Sequence, residues 1–461
     1  MNMRRANLLL LLVLAVCLGV PTRAAETNSL VWRAERDRVS ADLHGEPLWP
    51  LLEDIARQTG WHIFVEPGAN HSASVTFRDM PSGEALAKLL GNLNYAMVPQ
   101  TNGPQQLYVF KTTMYNATQR VIASPKLAPM RHVANQLLVR LKPGADIDVL
   151  AKSRGAKVVA RNDKAGIYLL EFGDASATDT ALAGLKTDPN VASVDYNYIF
   201  DAPPTPQALA NAPAGAAPVS LTLSPNSPSD PCNPIVGLID TGVQSLGSQL
   251  DQFMLPAINV TGDISDLSTT TPTHGKAMAT AILHGVSQQG KSSPVRILPV
   301  NVFGNGETAT SYNVALGVQA AVDGGATVLN MSVAGSTDAG VLNDIVQQAI
   351  AKGVIIFAAA GNQPVTTPNY PAAIPGVTAV TALSAPGQLA SYADYGSFVE
   401  MALPGTSMVY MGSQPWVVQG TSPATAYATG VAAGTKANNC LPWAQILAAM
   451  QQKFPVPKTG N

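Results

Sequence analysis

Charge is what this chain has least of. Its 461 residues carry 28 Lys and Arg against 30 Asp and Glu, 13% in all, about half the share usual for soluble proteins. The net charge is -2 and no basic run stands out. A groove that tracks phosphates binds through clustered Lys and Arg that release counterions, so nucleic acid is excluded as a partner. Cysteine is scarce as well: three residues, with no CxxC and no Cys/His cluster, exclude a structural zinc finger. No apolar run reaches the length of roughly 20 residues that a bilayer span needs. What the chain does have is 46% apolar residues, 38 Gly and 35 Pro. That is ample for hydrophobic cores with many turns, and at about 150 residues per domain the length predicts about three domains.

Arg4 and Arg5 precede the apolar run Leu8 to Val20, and Thr22-Arg23-Ala24 follows with small residues. This pattern predicts a signal peptide over residues 1–24 and, after its removal, a chain without a membrane span. Cys17 lies inside the run, but Val16 before it does not fit a lipoprotein signal. Cys232 and Cys440 remain. In an oxidising compartment they either form a disulfide that ties the start of the last domain to its end, or are two small buried thiols.

Residues 37–112 read as strand, helix, strand, strand, helix, strand. Leu48, Leu51, Leu52, Ile55 and Ala56 recur at helical spacing, as do Ala85, Leu86, Leu89, Leu90 and Leu93 after a Ser82 cap. Val39–Leu43, Ile63–Val65, Val75–Phe77 and Leu107–Phe110 are the expected strands. His44, His62 and His71 have no matching carboxylate and serine pattern and read as surface or packing residues. The stretches VSADLHGEPLWPLLEDIARQTGWHIFV and VTFRDMPSGEALAKLLGNLNYAM resemble the short N-terminal domain of secretins and TonB-dependent receptors. That resemblance implies a module that docks or signals in a Gram-negative periplasm, with an envelope protein as partner.

Residues 134–200 repeat the order β, α, β, β, α, β with unrelated sequence. Leu137–Leu141 and Ile167–Phe172 alternate as half-buried strands, and Pro143-Gly144 marks a turn before a helix from Ile147. The segments NQLLVRLKPGADIDVLAKSRGAKVV, GIYLLEF and DPNVASVDYNYIF resemble the inhibitory propeptide of subtilisin-like proteases. The end of that segment, Tyr196 to Phe200, is then expected in or near the catalytic cleft. Residues 201–234 hold nine Pro and read as an extended linker, open to proteolysis and unable to build a core.

From residue 235 to 455 apolar strands alternate with helices: Ile235–Ile239, Val295–Val302, Thr327–Met331, Val354–Ala360 and Val377–Ala382. The pattern predicts an α/β fold, a parallel sheet with helices on both faces, preceded by two small α+β domains. Chemistry in such sheets gathers at the carboxyl ends of the strands. Asp240 stands there, opening Asp240-Thr241-Gly242, where a carboxylate can orient an imidazole. An aspartic protease would need a second such motif, and none occurs. Beyond the linker only His274 and His284 can act as an imidazole base. His274 follows Pro272 and heads a helical run, which places its ring at the exposed N-terminus of a buried helix; His284, before Gly285, reads as a capping or solvated residue.

Two serines compete as nucleophile, in Gly405-Thr406-Ser407 and Gly420-Thr421-Ser422. After Ser407 the chain reads as a hairpin turning at Gly412-Ser413. After Ser422 comes Pro423, suited to the first helical turn, and then a run of small residues. A helix that starts at the serine offers its N–H groups and positive dipole end to an oxyanion, so Ser422 is chosen. Asn362, after Gly361 at the end of the strand from Val354, is either a plain turn residue or, beside these partners, a second donor for that oxyanion.

With these motifs in the order Asp, His, Ser, residues from 234 to about 450 resemble the subtilases, the subtilisin-like serine proteases, rather than chymotrypsin or the α/β-hydrolases. The resemblance implies Asp240, His274 and Ser422 as catalytic triad, Asn362 in the oxyanion hole, and Ser332, Val333 and Ala334, within VLNMSVAGS, as a strand that pairs with extended substrate. PNYPAAIPGVTAVTAL, LASYADYG and MALPG match further framework. Lys276, Ala277, Thr280, Pro423 and Ala426 depart from the family pattern without removing a reacting group. Ala334 and the short loop Gln363 to Asn369 alter the specificity pocket, so the preference at the cleaved bond is not inherited. The usual calcium segments are not recognisable; no cofactor and no metal site is assigned, calcium being the ion the resemblance leaves open. The function implied is an exported, self-processing serine endopeptidase of periplasm or extracellular space, with protein or peptide substrates and its own propeptide as partners. The alternative is a periplasmic docking or signalling protein whose protease domain only self-cleaves or binds.

Overall fold

The computed structural model describes residues 29–100, 104–121, 130–209, 221–226, 232–247, 249–262 and 267–457. The predicted signal segment 1–24, and residues 210–220 and 227–231 of the predicted linker, lie outside the described residues. The chain divides into two compact units, residues 1–123 with 460–461, and residues 124–459.

In the N-terminal unit the helices Leu48–Thr59 and Ser82–Leu90 bury Leu51, Leu52, Ile55, Leu86, Leu89 and Leu90 against a three-stranded and a four-stranded sheet. The strands Arg38–Pro47, His62–Val65, Ser72–Met80 and Gln106–Phe110 contain the apolar runs of the sequence. Ser29–Arg33, Asn94–Val98 and Gln119–Val121 are further strands that the pattern did not predict. Each lies at a sheet edge, where fewer neighbours impose a hydrophobic alternation. Ser82 is not a cap. It is the first helical residue, after Pro81, and its N–H goes to Asp37 Oδ1 at 3.3 Å. Gly91, at φ 57°, ends this helix and leaves Leu93 outside it.

The second unit begins with the antiparallel strands His132–Leu141, Lys157–Asn162, Ile167–Glu171 and Val191–Asp201 and the helices Ile147–Ser153 and Ala175–Leu185. Leu137–Leu141 and Ile167–Phe172 are not half-buried, as their alternation suggested. One face, with Leu137, Val139 and Leu170, packs on Leu150 and Leu185 of its own helices. The other, with Leu138, Ile167 and Leu169, packs with Val314, Val341 and Val346 of two helices further along the chain, Ser311–Asp323 and Gly340–Ala351. The first N–H groups of a helix have no partner within it, and this small sheet supplies them: Asp195 Oδ2 accepts from Val341 N at 2.8 Å and Asn197 Oδ1 from Tyr312 N at 3.2 Å.

The large sheet runs Arg296–Asn301, Ile235–Asp240, Val328–Met331, Ile355–Ala359 and Val377–Ala385 side by side, all parallel. Helices Ser311–Asp323 and Gly340–Ala351 share one core with one face of the sheet, and helices His274–Ser287 and Thr421–Asn439 share another. The last two helices cross at glycines. A Cβ on Gly430 would overlap the Ile282 carbonyl oxygen, and one on Gly285 the Tyr427 carbonyl oxygen. Only hydrogen side chains let these backbones meet, and their meeting fixes the helix that carries His274 against the helix that carries Ser422. Cys232 and Cys440 form a disulfide with Cα atoms 5.5 Å apart.

The linker is not uniformly extended and open. Gln207–Ala208 pairs with Trp416–Val417, Ser224–Pro225 pairs with Ser292–Ser293, and Leu223 is wholly buried. Its sparse apolar residues cannot build a core of their own, but they join one that exists.

Candidate active site

Asp240 ends its strand with no solvent exposure, and His274 opens its helix at 1%. The expectation of an exposed imidazole is therefore wrong. The helix starts against the strand-end loop: Gly275 N donates to Thr241 Oγ1 at 2.9 Å, and Thr273 caps the helix by accepting from Lys276 N. This closes the ring in. His274 Nδ1 lies 2.8 Å from Asp240 Oδ1 and 3.0 Å from Oδ2. A carboxylate only accepts, so Nδ1 carries the proton and Nε2 is the free nitrogen of the neutral ring. Asp240 Oδ1 also accepts from Thr241 N at 2.7 Å, which holds the carboxylate in place.

Ser422 is the second residue of helix Thr421–Asn439 and 5% exposed. Before it, Gly420 has φ 155°, a backbone state that favours glycine, and this lets the extended strand Gln414–Gln419 turn directly into the helix. Asn362 faces this helix start. Its Oδ1 accepts from Thr421 N at 2.8 Å and from Thr421 Oγ1 at 3.1 Å. The carbonyl half of the amide is thereby occupied, and Nδ2 is left as donor. Thr421 is a residue that motif reading missed; its hydroxyl sits inside the same Gly-Thr-Ser triplet, and its pairing with Asn362 spans 59 positions. Ser407 lies in the strand Thr406–Met411 of the expected hairpin and lines a different cavity, of roughly 670 Å³, with Lys276, Thr280 and His284. His284 is exposed, its ring 5.4 Å from that of Tyr427.

Ser422, Asn362, Ser332, Ala334 and Asn369 line one cleft of roughly 460 Å³. Val333 is 1% exposed and packs into the core behind it. Ile199, Asp201, Ala202, Pro203 and Pro204 line the same cleft. The strand Val191–Asp201 leads them in, pairing Ile199, Phe200 and Asp201 with Thr310, Ala309 and Thr308. Among the described residues no three His, Cys, Asp or Glu side chains gather as a metal site, and no helix is long and apolar enough to cross a membrane.

Residues 232–457 match the subtilase family, and residues 118–197 match the fervidolysin N-terminal prodomain. Thermitase from Thermoactinomyces vulgaris is 34% identical over 208 residues, 43% of this chain and 72% of the relative. A thermostable alkaline protease from Halalkalibacterium halodurans is 27% identical over 272 residues, 57% of this chain and 71% of the relative. Among solved structures, fervidolysin from Fervidobacterium pennivorans, a keratinolytic enzyme related to subtilisin, superposes with a TM-score of 0.54 at 19% identity. The match covers 70% of this chain but only 57% of that one, and at this identity it is a likeness of fold.

Proposed function

The chain belongs to the subtilase family of serine endopeptidases, and from that premise we propose an exported zymogen that uses Asp240, His274 and Ser422 as its triad and Asn362 in its oxyanion hole. The observation that carries the reading is the buried contact of His274 Nδ1 with both oxygens of Asp240. It commits the ring to the tautomer whose Nε2 can take a proton. In the proposed mechanism Ser422 Oγ attacks a peptide carbonyl as its proton moves to Nε2, and Asp240 stabilises the imidazolium. Asn362 Nδ2 and the Ser422 N–H meet the oxyanion of the tetrahedral intermediate. The intermediate collapses, the amine leaves with the proton from His274, and water, activated by the same ring, hydrolyses the acyl-enzyme. No step uses a metal, and no calcium site is assigned.

The stretch Ile199 to Pro204 supports an autoinhibited precursor: residues of the chain's own N-terminal side wall the cleft that Ser422 and Asn362 line, where a substrate would enter. Maturation is a cut in the linker after this segment. The segment 37–112, similar to the secretin and TonB short N-terminal domain, serves as a docking module for an envelope protein, and residues 1–24 direct export to the periplasm or beyond. The test is to express wild type and Ser422→Ala, follow processing, and assay protein substrates in trans. The alanine variant is expected to stay uncut and inactive. Linker cleavage of that variant at the wild-type rate overturns self-maturation, and a mature wild type that hydrolyses no protein or peptide library leaves the reading of a docking protein that only self-cleaves or binds.

A further inference from the structure

Buried polar atoms without a partner are rare in folded chains because each forfeits its hydration for nothing. One such atom in this protein, Asn369 Oδ1, belongs to a residue that lines the cleft with Ser422 and Asn362. Asn369 is 6% exposed, and its Nδ2 donates to Asp394 Oδ2 at 3.1 Å. Asp394 is wholly buried, and its other oxygen accepts from Gln363 N at 2.6 Å and Val365 N at 3.4 Å. A carboxylate so surrounded by donors can only accept, so the Asn369 amide cannot turn over. Its nitrogen must face Asp394, and its oxygen must face the other way.

The pair is also fixed as a unit. Asp394 N donates to Gly361 O at 2.9 Å, and Asp394 O accepts from Thr381 Oγ1 at 2.6 Å. Gly361, at φ 119°, leaves no room for a side chain, since a Cβ there would overlap Asp394 Oδ2 and Asn369 Nδ2. Asp394 therefore ties both ends of the loop 361–369, with its backbone N–H at Gly361 and its carboxylate at Asn369. The carboxylate behind the amide also polarises it, which strengthens Oδ1 as an acceptor.

We propose that Asn369 Oδ1, held by Asp394, is a specificity determinant of the cleft, and that the enzyme favours substrates whose side chain beside the cleaved bond ends in an N–H donor, as Gln and Lys do. The inference rests on the peptidase reading above and names the substrate class of the same site. Met has nearly the length and volume of Gln but leaves Oδ1 unpaired; Glu brings only acceptors. A site built around a polar group rejects an analogue that cannot satisfy it far more strongly than an apolar pocket rejects a wrong shape.

The test uses the processed wild-type enzyme and a series of fluorogenic peptides that differ only at the residue before the cleaved bond: Gln, Lys, Met, Leu and Glu. The kcat/KM for Gln and Lys is expected to exceed that for Met and Leu by about 10-fold or more, with Glu lowest. Asn369→Leu is expected to invert the order of Gln and Met while Ser422 still reacts with an active-site fluorophosphonate. Wild type that prefers Met or Leu to Gln overturns the proposal, and that result stands without any variant. An unchanged Gln-to-Met ratio in Asn369→Leu overturns it too. If no peptide in the series is cut and the fluorophosphonate does not label, it is the peptidase reading itself that has failed.

Discussion

Gly405-Thr406-Ser407 and Gly420-Thr421-Ser422 are the same tripeptide at the two ends of one hairpin. Thr406 pairs with Gln419, Ser407 with Val418, and Gly420 N donates to Gly405 O at 2.9 Å. Composition and neighbourhood are thus nearly shared, and only the backbone that follows differs. Ser407 continues into a strand, where its peptide groups belong to a ladder. Ser422 continues into a helix, whose first N–H groups have no partner within it and point toward whatever lies at its start. The second threonine also orients Asn362 through two hydrogen bonds. What separates the two serines is the backbone that follows and the groups a helix start can organise, not the residues on either side.

Replacing each of the two serines by alanine tests the contrast directly. Ser422→Ala is expected to lower kcat by about 10⁶-fold, the scale for loss of a triad nucleophile. Ser407→Ala is expected to leave kcat within about twofold, as a half-buried strand serine with no part in the chemistry. Hydrolysis of a protein substrate by the two purified variants decides it, and the opposite order would move the nucleophile to the hairpin. Asp240→Asn is expected to cost about 10⁴-fold with the fold intact, because an amide can donate to Nδ1 and stabilise the wrong tautomer. Its circular dichroism should match wild type while kcat falls.

Asn362→Ala isolates the donor that Thr421 orients. Loss of one oxyanion donor is expected to lower kcat by about 10² to 10³-fold with little change in KM, since the donor acts on the transition state rather than the bound substrate. A large rise in KM with kcat unchanged would instead make Asn362 a substrate-binding residue.

The positions that short motifs could place were those set by local backbone: Asp240 at a strand end, His274 and Ser422 at helix starts, Asn362 after its strand. The hairpin after Ser407 was legible for the same reason, with Gly412 at φ 61° in its turn. What pairings across long stretches of chain decide was not legible. The start of the His274 helix depends on the bond from Gly275 to Thr241, 34 positions away, and the orientation of Asn369 depends on Asp394, 25 positions away. The second buried face of the strand Ile167–Glu171 depends on helices Ser311–Asp323 and Gly340–Ala351. Periodicity reports how many faces a strand hides, but Ile167, Tyr168, Leu169 and Leu170 are all buried, and a short apolar run does not say what covers it.

The smallest expected effect lies beside Ser407 and sharpens the contrast between the two cavities. Lys276, two positions after His274 and 7% exposed, lines the cavity that holds Ser407. Its Nζ donates to Ser245 O at 2.6 Å. Burial holds its ammonium below the ordinary value of 10.5, while Asp251 pulls the other way. Between the lowered folded value and 10.5 the unfolded chain binds more protons than the folded one, so stability rises with pH across that window. The contribution is complete above about 10.5 and is lost as pH falls through the folded value. Lys276→Met keeps the aliphatic stem and removes the charge. It is expected to stabilise the protein at pH 7 by on the order of 1 kcal/mol, with the gain shrinking as the pH approaches 10.5. Denaturant melts of both proteins from pH 7 to 10.5 measure it. A gain that stays constant with pH would show that packing, not charge, separates the two side chains. A loss of stability at pH 7 would show that the bond to Ser245 outweighs the burial of the ammonium.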